Sequence, residues 1–182
     1  AARPPRGRGA GFRRRHARQR PVWVAASTHE GEEALVLAAP RRLLEDRPDC
    51  LLLLVPRHPE RFPGVAALVD REGLAQVTRS SGRDAAPGTQ VFLGDSMGEL
   101  TMFYAAADVA FVGGSLVPVG GHNLLEPAAL GLPVVTGPHN ENAADIAELL
   151  LACGAASVAR DPQGLAAAVG ALLDEPAERA RR

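Results

Sequence analysis

Residues 113–127, GGSLVPVGGHNLLEP, bring together four glycines, a His-Asn pair and a Leu-Leu-Glu-Pro run. Glycine lets backbone N–H groups approach an anion with no Cβ in the way. A cradle for a charged ligand and a flexible loop ahead of a helix both fit this composition. A second candidate is Pro56-Arg57-His58-Pro59. Prolines on both sides stiffen the loop, so less entropy is lost on gripping a ligand. Arg57 can pair with phosphate through two N–H groups. A solvated loop arginine beside a bystander histidine competes with that reading, and the residues alone leave the two level.

Three further stretches share one design. Ser27-Thr28-His29-Glu30, Ser96-Met97-Gly98-Glu99 and Asn123-Leu124-Leu125-Glu126 each place a capping residue three positions before a glutamate. That is the capping-box pattern, and a single box adds only ~1 kcal/mol of helix stability. Their placement carries more weight, because each follows an apolar run that reads as a strand. In an open α/β sheet such turns line the crevice at the carboxyl ends of the strands, where ligands bind. Helix starts also offer free N–H groups and a positive dipole end to phosphate. Gly31 follows the first turn, and Gly113-Gly114 and Gly120-Gly121 precede the third.

Other chemistries have no support. There is no G-x-S-x-G, no H-E-x-x-H, no G-x-G-x-x-G and no Walker A sequence. His29, His58, His122 and His139 have no cysteine partners, so no metal site is expected. Cys50 and Cys153 lack metal-ligand spacing and read as two buried free thiols.

The elements that must position these residues follow from hydrophobic patterning. Short apolar runs at 22–27, 50–56, 74–79, 90–94, 108–114, 132–137 and 156–160 read as strands. Helical stretches at 30–46, 60–72, 96–107, 123–131, 142–154 and 162–175 separate most of them. CLLLLVP (50–56) is a continuous apolar run, as expected for a strand buried on both faces. The alternation predicts an α/β domain with a parallel, doubly wound, Rossmann-like sheet and helices on both faces. At 182 residues and 46% hydrophobic, the chain can bury one sizeable core.

Charge is divided unevenly. All 20 basic residues are arginine, and eight of them fall within residues 3–20. The remainder sets 12 arginines against 21 acids, a net −9. Residues 1–20 have the composition of a disordered arm or linker, and the acidic domain over 21–182 is not expected to bind nucleic acid. No apolar run approaches the ~20 residues needed to span a bilayer, so the chain by itself is expected to be soluble and cytoplasmic. Residue chemistry alone ends at a nucleotide- or phosphate-binding α/β domain.

Four segments in order add to this: ASTHEGEE (26–33), PRHPERF (56–62), GDSMGEL (94–100) and GGSLVPVGGHNLLEPAALGLPVVTGP (113–138). Together they resemble the C-terminal half of Kdo (3-deoxy-D-manno-octulosonic acid) transferases, over roughly residues 21–175. The resemblance implies the C-terminal domain of a GT-B glycosyltransferase, which binds the CMP-Kdo donor. The whole enzyme would transfer Kdo to the lipid A precursor in lipopolysaccharide synthesis, at the cytoplasmic face of the inner membrane. It implies donor contacts at Pro56, Arg57 and His58, at Met97, Gly98 and Glu99, and at Asn123, Leu124, Leu125 and Glu126. By their chemistry, Arg57 would take the phosphate and Glu126 the ribose hydroxyls. Gly120 and Gly121 would offer N–H groups to phosphate or to the Kdo carboxylate, and Ser27 and Thr28 would line the same cleft. No cofactor or metal is implied.

Two departures qualify the resemblance. The N-terminal acceptor half, with the family's membrane anchor and general-base glutamate, has no match in these residues. The isolated chain is therefore expected to bind donor weakly without turnover. The family's usual Asn-Phe is Asn142-Ala143 here, which should loosen packing near the donor. Two alternatives stand beside this reading: another GT-B protein using a UDP-sugar (a transferase or an epimerase), and a stand-alone nucleotide-binding module whose arginine arm meets acidic partners.

Overall fold

The computed structural model describes residues 5–174. All seven expected strands form, and all pair in parallel: β1 Val22–Thr28, β2 Leu51–Pro56, β3 Gln76–Thr78, β4 Val91–Leu93, β5 Val109–Val112, β6 Val134–Thr136 and β7 Ala156–Val158. Their order across the sheet is β3-β4-β2-β1-β5-β6-β7. The chain therefore winds one way from β1 through β2, then returns to place β5 on the other side of β1. The reversal creates a crevice between the carboxyl ends of β1 and β5, the switch point of a doubly wound sheet.

Helices α2 Glu32–Asp46, α3 Phe62–Arg71, α4 Leu100–Ala106, α5 Leu125–Ala129, α6 Ala144–Ala152 and α7 Pro162–Asp174 connect the strands. Alternation along β1 shows how both faces are covered. Trp23 and Ala25 pack with Leu37 and Leu43 of α2, Val65 of α3 and Val169 of α7. Val22, Val24 and Ala26 pack on the opposite face with Phe103 and Tyr104 of α4. Side chains on successive strand residues point to opposite faces, so a strand apolar throughout must be sandwiched between helices.

One element departs from expectation. Within the stretch read as a disordered arm, Pro5–His16 form a helix, α1. Its Phe12 is buried, edge-on to Phe92 at 4.9 Å and to Phe103 at 5.4 Å. Gly9 permits the contact with α4: a Cβ there would lie 2.4 Å from the Cβ of Ala105. Arg13 donates to the Ala106 carbonyl, the Arg20 carbonyl and the Asp108 carboxylate. One aromatic anchor and a set of guanidinium–carbonyl bonds order a stretch whose composition alone reads as linker. Residues 1–4 and 175–182, part of the expected arm and of the chain's last segment, lie outside the described residues.

The thiols differ from one another. Cys50 is buried, and burial pushes its pKa up to about 12, whereas Cys153 is exposed at the end of α6. Among the described residues no helix is long and apolar enough to cross a membrane.

Candidate functional site

The switch point is built around a buried carboxylate. Glu32, in the first turn of α2, is fully buried. Its Oε1 accepts from Gly114 N at 2.8 Å and from His29 N at 3.2 Å. Its Oε2 accepts from Ser115 N at 3.1 Å and Leu116 N at 2.9 Å. Gly113 N donates to the Ala26 carbonyl at 2.7 Å. The first half of the glycine segment is thus a cradle of N–H groups, as its composition suggested, but its occupant is the protein's own glutamate.

The second glycine pair is also committed. Gly121 N donates to the Gly114 carbonyl at 2.8 Å. A Cβ at Gly120 would lie 2.7 Å from Asn142 Nδ2, and one at Gly121 would lie 2.7 Å from Asn140 Oδ1. Asn142 Nδ2 donates to the Val119 and Gly121 carbonyls. Of the two N–H groups expected to meet an anion, those of Gly120 and Gly121, the latter is thus engaged within the protein. Both are buried, both have positive φ (105° and 81°), and they exist so that two loops can pack together.

The three expected capping boxes do not form. α2 is capped at Gly31, α4 at Glu99 and α5 at Leu124, none with a side-chain cap bond. Each helix starts later than the sequence suggested: Glu30 stays in the turn before α2, Glu99 becomes the cap residue of α4 and Glu126 falls in the first turn of α5. Asn123 Oδ1 instead accepts from Leu125 N at 2.9 Å, two residues on, in an Asx turn. Leu124 is fully buried and packs with Val112, Val134 and Leu150, so its side chain faces the core.

Ser27, the next-to-last residue of β1, has φ 57° at an irregularity in the pairing with β2 between Ala26 and Thr28. A non-glycine residue in that region carries backbone strain and marks over-determined geometry. Thr28 is fully buried, and its hydroxyl donates to Glu33 Oε1 at 3.2 Å. Glu33 also pairs with Arg61 at 2.7 and 3.2 Å. Thr28 is therefore a post behind the cleft and not part of its wall. Arg57 N donates to the Thr28 carbonyl at 3.0 Å, which fastens the Pro56–Pro59 loop to the end of β1.

On that loop, Arg57 is exposed and its guanidinium has no hydrogen-bond or ion-pair partner among the described residues. His58 sits beside it, its ring centroid 5.2 Å from that of His29. His29 Nε2 and His122 Nε2 are 2.6 Å apart. Burial is the main cause holding both of these histidines below the ordinary 6.5.

The remaining candidates cluster along α4 and α5. The Glu99 carboxylate accepts from Arg79 at 2.9 and 3.0 Å, from Arg8 of α1 at 2.9 Å and from Ser96 Oγ at 2.7 Å. The Arg79 hydrogen bond is the main cause holding its pKa below the usual carboxylate range. Glu126 accepts from Thr101 Oγ1 at 2.7 Å and keeps part of its surface open. Met97 is 63% exposed and Leu125 45% exposed, at the same strand-end face. Gly98 takes φ 75° in the turn between them and α4.

Grooves also lie elsewhere on the molecule. One of about 490 Å³ runs between α2 and α7, lined by Arg42, Glu45 and Gln163. It adjoins the carboxyl end of α2, at the opposite edge of the sheet from these turns, and the Arg47–Asp174 pair crosses it. Among the described residues no cluster of His, Cys, Asp or Glu has the arrangement of a metal site.

The strand-end site and the sheet order have clear relatives. Residues 20–182 match the family described as Glycosyl transferases group 1. The chain belongs to that family. It is 49% identical over 163 residues to a 3-deoxy-D-manno-octulosonic acid transferase of Haemophilus influenzae, covering 89% of this chain and 38% of that protein. It is 46% identical over 164 residues to the enzyme of the same name from Bordetella pertussis, covering 88% and 38%. The crystal structure of the C-terminal CMP-Kdo binding domain of WaaA from Acinetobacter baumannii superposes with a TM-score of 0.91 at 38% identity, covering 96% of this chain and 92% of that one. The fold is accordingly the Rossmann-like C-terminal domain of a GT-B glycosyltransferase. The chain spans 38% of the length of each of these two curated relatives.

Glu32, Glu33, Arg79, His29 and His122 all lie at these strand-end turns without having been singled out as donor contacts. The acid-rich ASTHEGEE run carried a signal for the first two, since three carboxylates after a buried strand need partners. Nothing in the spacing of Arg79 or His122 pointed to theirs.

Proposed function

We propose that this chain is the donor-binding part of a Kdo transferase, which holds CMP-Kdo at the carboxyl edge of the sheet. The observation that carries the reading is the convergence at one strand-end face of the Pro56–His58 loop, the Met97–Glu99 turn and the start of α5, on a chain that superposes along 96% of its length on a CMP-Kdo binding domain. Arg57, unpaired and exposed, supplies two N–H groups for the donor phosphate, with His58 beside it. Glu126 takes ribose hydroxyls through the oxygen that Thr101 leaves free. Pro56, Met97, Gly98, Asn123 and Leu125 wall the nucleotide, and Glu99 holds the Met97–Gly98 turn in place through Arg79.

In the whole enzyme the bond between the Kdo anomeric carbon and the phosphate oxygen breaks, and CMP leaves with the electron pair. An acceptor hydroxyl on the lipid A precursor loses its proton to a base on the other half and bonds to that carbon. The contribution of this chain is to orient the donor and to offset charge growing on the departing phosphate. Work at the cytoplasmic face of the inner membrane belongs to the same proposal.

Calorimetric titration with CMP, UMP and UDP tests the reading. CMP should bind, and Arg57→Ala should weaken it about tenfold or more, since hydrogen bonds to charged groups are worth ~1.5–3 kcal/mol. Preference for UDP over CMP would return the chain to the UDP-sugar branch of the fold.

A further inference from the structure

Glu32 occupies the N–H groups of Gly114, Ser115 and Leu116, so those groups cannot also meet an anion at the switch point. His29 follows β1 and His122 follows the β5 turn, so the two histidines face each other across the crevice. Their ring planes differ by 7°, their centroids are 4.9 Å apart and their Nε2 atoms 2.6 Å apart. Rings stacked face to face would hold their atoms at van der Waals separation, about 3.5 Å. These rings are instead coplanar, nitrogen to nitrogen, with one proton between them.

Such a pair has two accessible charge states. When it is neutral, one ring carries its proton on Nε2 and the other on Nδ1. One added proton gives an imidazolium–imidazole pair with N–H groups at both Nδ1 positions, neither of which has a partner among the described residues. A second proton would set two N–H groups head to head and break the pair. We propose that the His29–His122 pair is a second cationic contact for the anionic groups of the donor, charged by a single proton taken up as the donor binds. This rests on the donor-binding reading above.

The charged surroundings are mixed. Glu32 and Glu33 of α2 favour the charged form of His29, while Arg57 and His58, from the loop after β2, oppose it. Arg57 and His58 oppose the charged form of His122 as well. An anion placed among these groups tips the balance, because an opposite charge within a few ångströms favours protonation. The chemistry recognised is an oxyanion, which the donor carries as a phosphodiester and as a sugar carboxylate.

Calorimetry of the whole chain in two buffers of different ionisation enthalpy measures the proton. The probes are the methyl phosphodiester of CMP, which does not titrate near neutrality, and free Kdo. Near pH 7 the expected result is a substantial fraction of one proton taken up per probe bound, at least halved in His122→Asn and in His29→Gln. Uptake with only one probe assigns the pair to phosphate or to carboxylate. Probe binding with no uptake, or with uptake unchanged in both variants, overturns this proposal and leaves the donor-binding reading intact; no binding of either probe overturns both. Should both variants misfold, histidine NMR of the unaltered chain decides. The His29 and His122 titrations must move to higher pH on saturation with probe, and unmoved titrations overturn the proposal.

Discussion

Glu32 and Gly114 are joined across the switch point by a 2.8 Å hydrogen bond between a fully buried carboxylate and a backbone N–H. The glycine-rich turn after β5 is therefore preformed around an internal anion. A loop with so many glycines would otherwise lose much conformational entropy on meeting a ligand. The Glu32 carboxylate accepts from four N–H groups drawn from two different strand-end turns, which ties the two turns together.

Glu32→Gln should destabilise the fold by on the order of 3 kcal/mol, because the amide turns an NH₂ toward backbone donors and leaves buried N–H groups unmet. Urea unfolding of the variant against the unaltered chain measures the difference. A loss under about 1 kcal/mol would mean that water reaches the cradle and satisfies it.

Gly113→Ala should be costly for a related reason. The new Cβ would lie 2.7 Å from Glu32 Oε1, 2.7 Å from the Ser27 carbonyl and 2.8 Å from the Ala26 carbonyl. None of these can retreat, since two are strand backbone and the third is buried. Gly154→Ala is the comparison: it meets open space but has φ 78°, so it carries only the ~1 kcal/mol of a left-handed residue. Thermal unfolding should rank Gly113→Ala well below Gly154→Ala.

Phe12→Ala should cost about 3–5 kcal/mol, as for other buried phenylalanines, and should release α1 from α4. Proteolysis within residues 5–20 would become faster in the variant if α1 is docked as described. This helix marks where the sequence ran short. The seven strands were legible because apolar runs of strand length alternate with longer helical patterns, and CLLLLVP can only be a doubly covered strand. α1 was not legible: it has three glycines, a proline and five arginines, and its order comes from Phe12 and from the Ala106 carbonyl and Asp108 carboxylate, more than 90 residues distant in sequence. The site divides in the same way. The turns that carry Arg57, Glu99 and Glu126 were evident from local motifs. The occupant of the glycine cradle was not, because a buried glutamate and a solvent-facing one look alike in sequence.

Acid should destabilise the fold earlier than carboxylate titration requires. His16, His29 and His122 all have folded-state pKa values lowered chiefly by burial. The unfolded chain therefore binds protons more readily than the folded one, so their contribution is fully present above about pH 6.5 and is lost as pH falls through their folded values. Melting temperature followed from pH 8 to pH 5 should begin to drop below about 6.5. His16→Phe should remove part of that drop, since the ring already packs against Phe12 and Phe92 at 4.5 and 4.9 Å.

Glu99 and Glu126 stand at the same face but should respond differently to loss of charge. Glu99 joins Arg79 of the β3 side, Arg8 of α1 and Ser96 of its own turn. Glu99→Gln should therefore weaken the docking of α1 and the Met97–Gly98 turn together, lowering both stability and CMP affinity. Among the described residues Glu126 has one hydrogen-bond partner, the Thr101 hydroxyl, from which a glutamine oxygen can also accept. Glu126→Gln should leave the melting temperature within a few degrees while reducing CMP affinity about tenfold, the magnitude of a charge-assisted bond to a hydroxyl. Deoxycytidine monophosphates lacking one ribose hydroxyl locate the contact: their penalty should shrink in Glu126→Gln if that carboxylate grips the ribose. A penalty of the same size in both proteins would assign Glu126 to holding α5 against α4, and the ribose to another group.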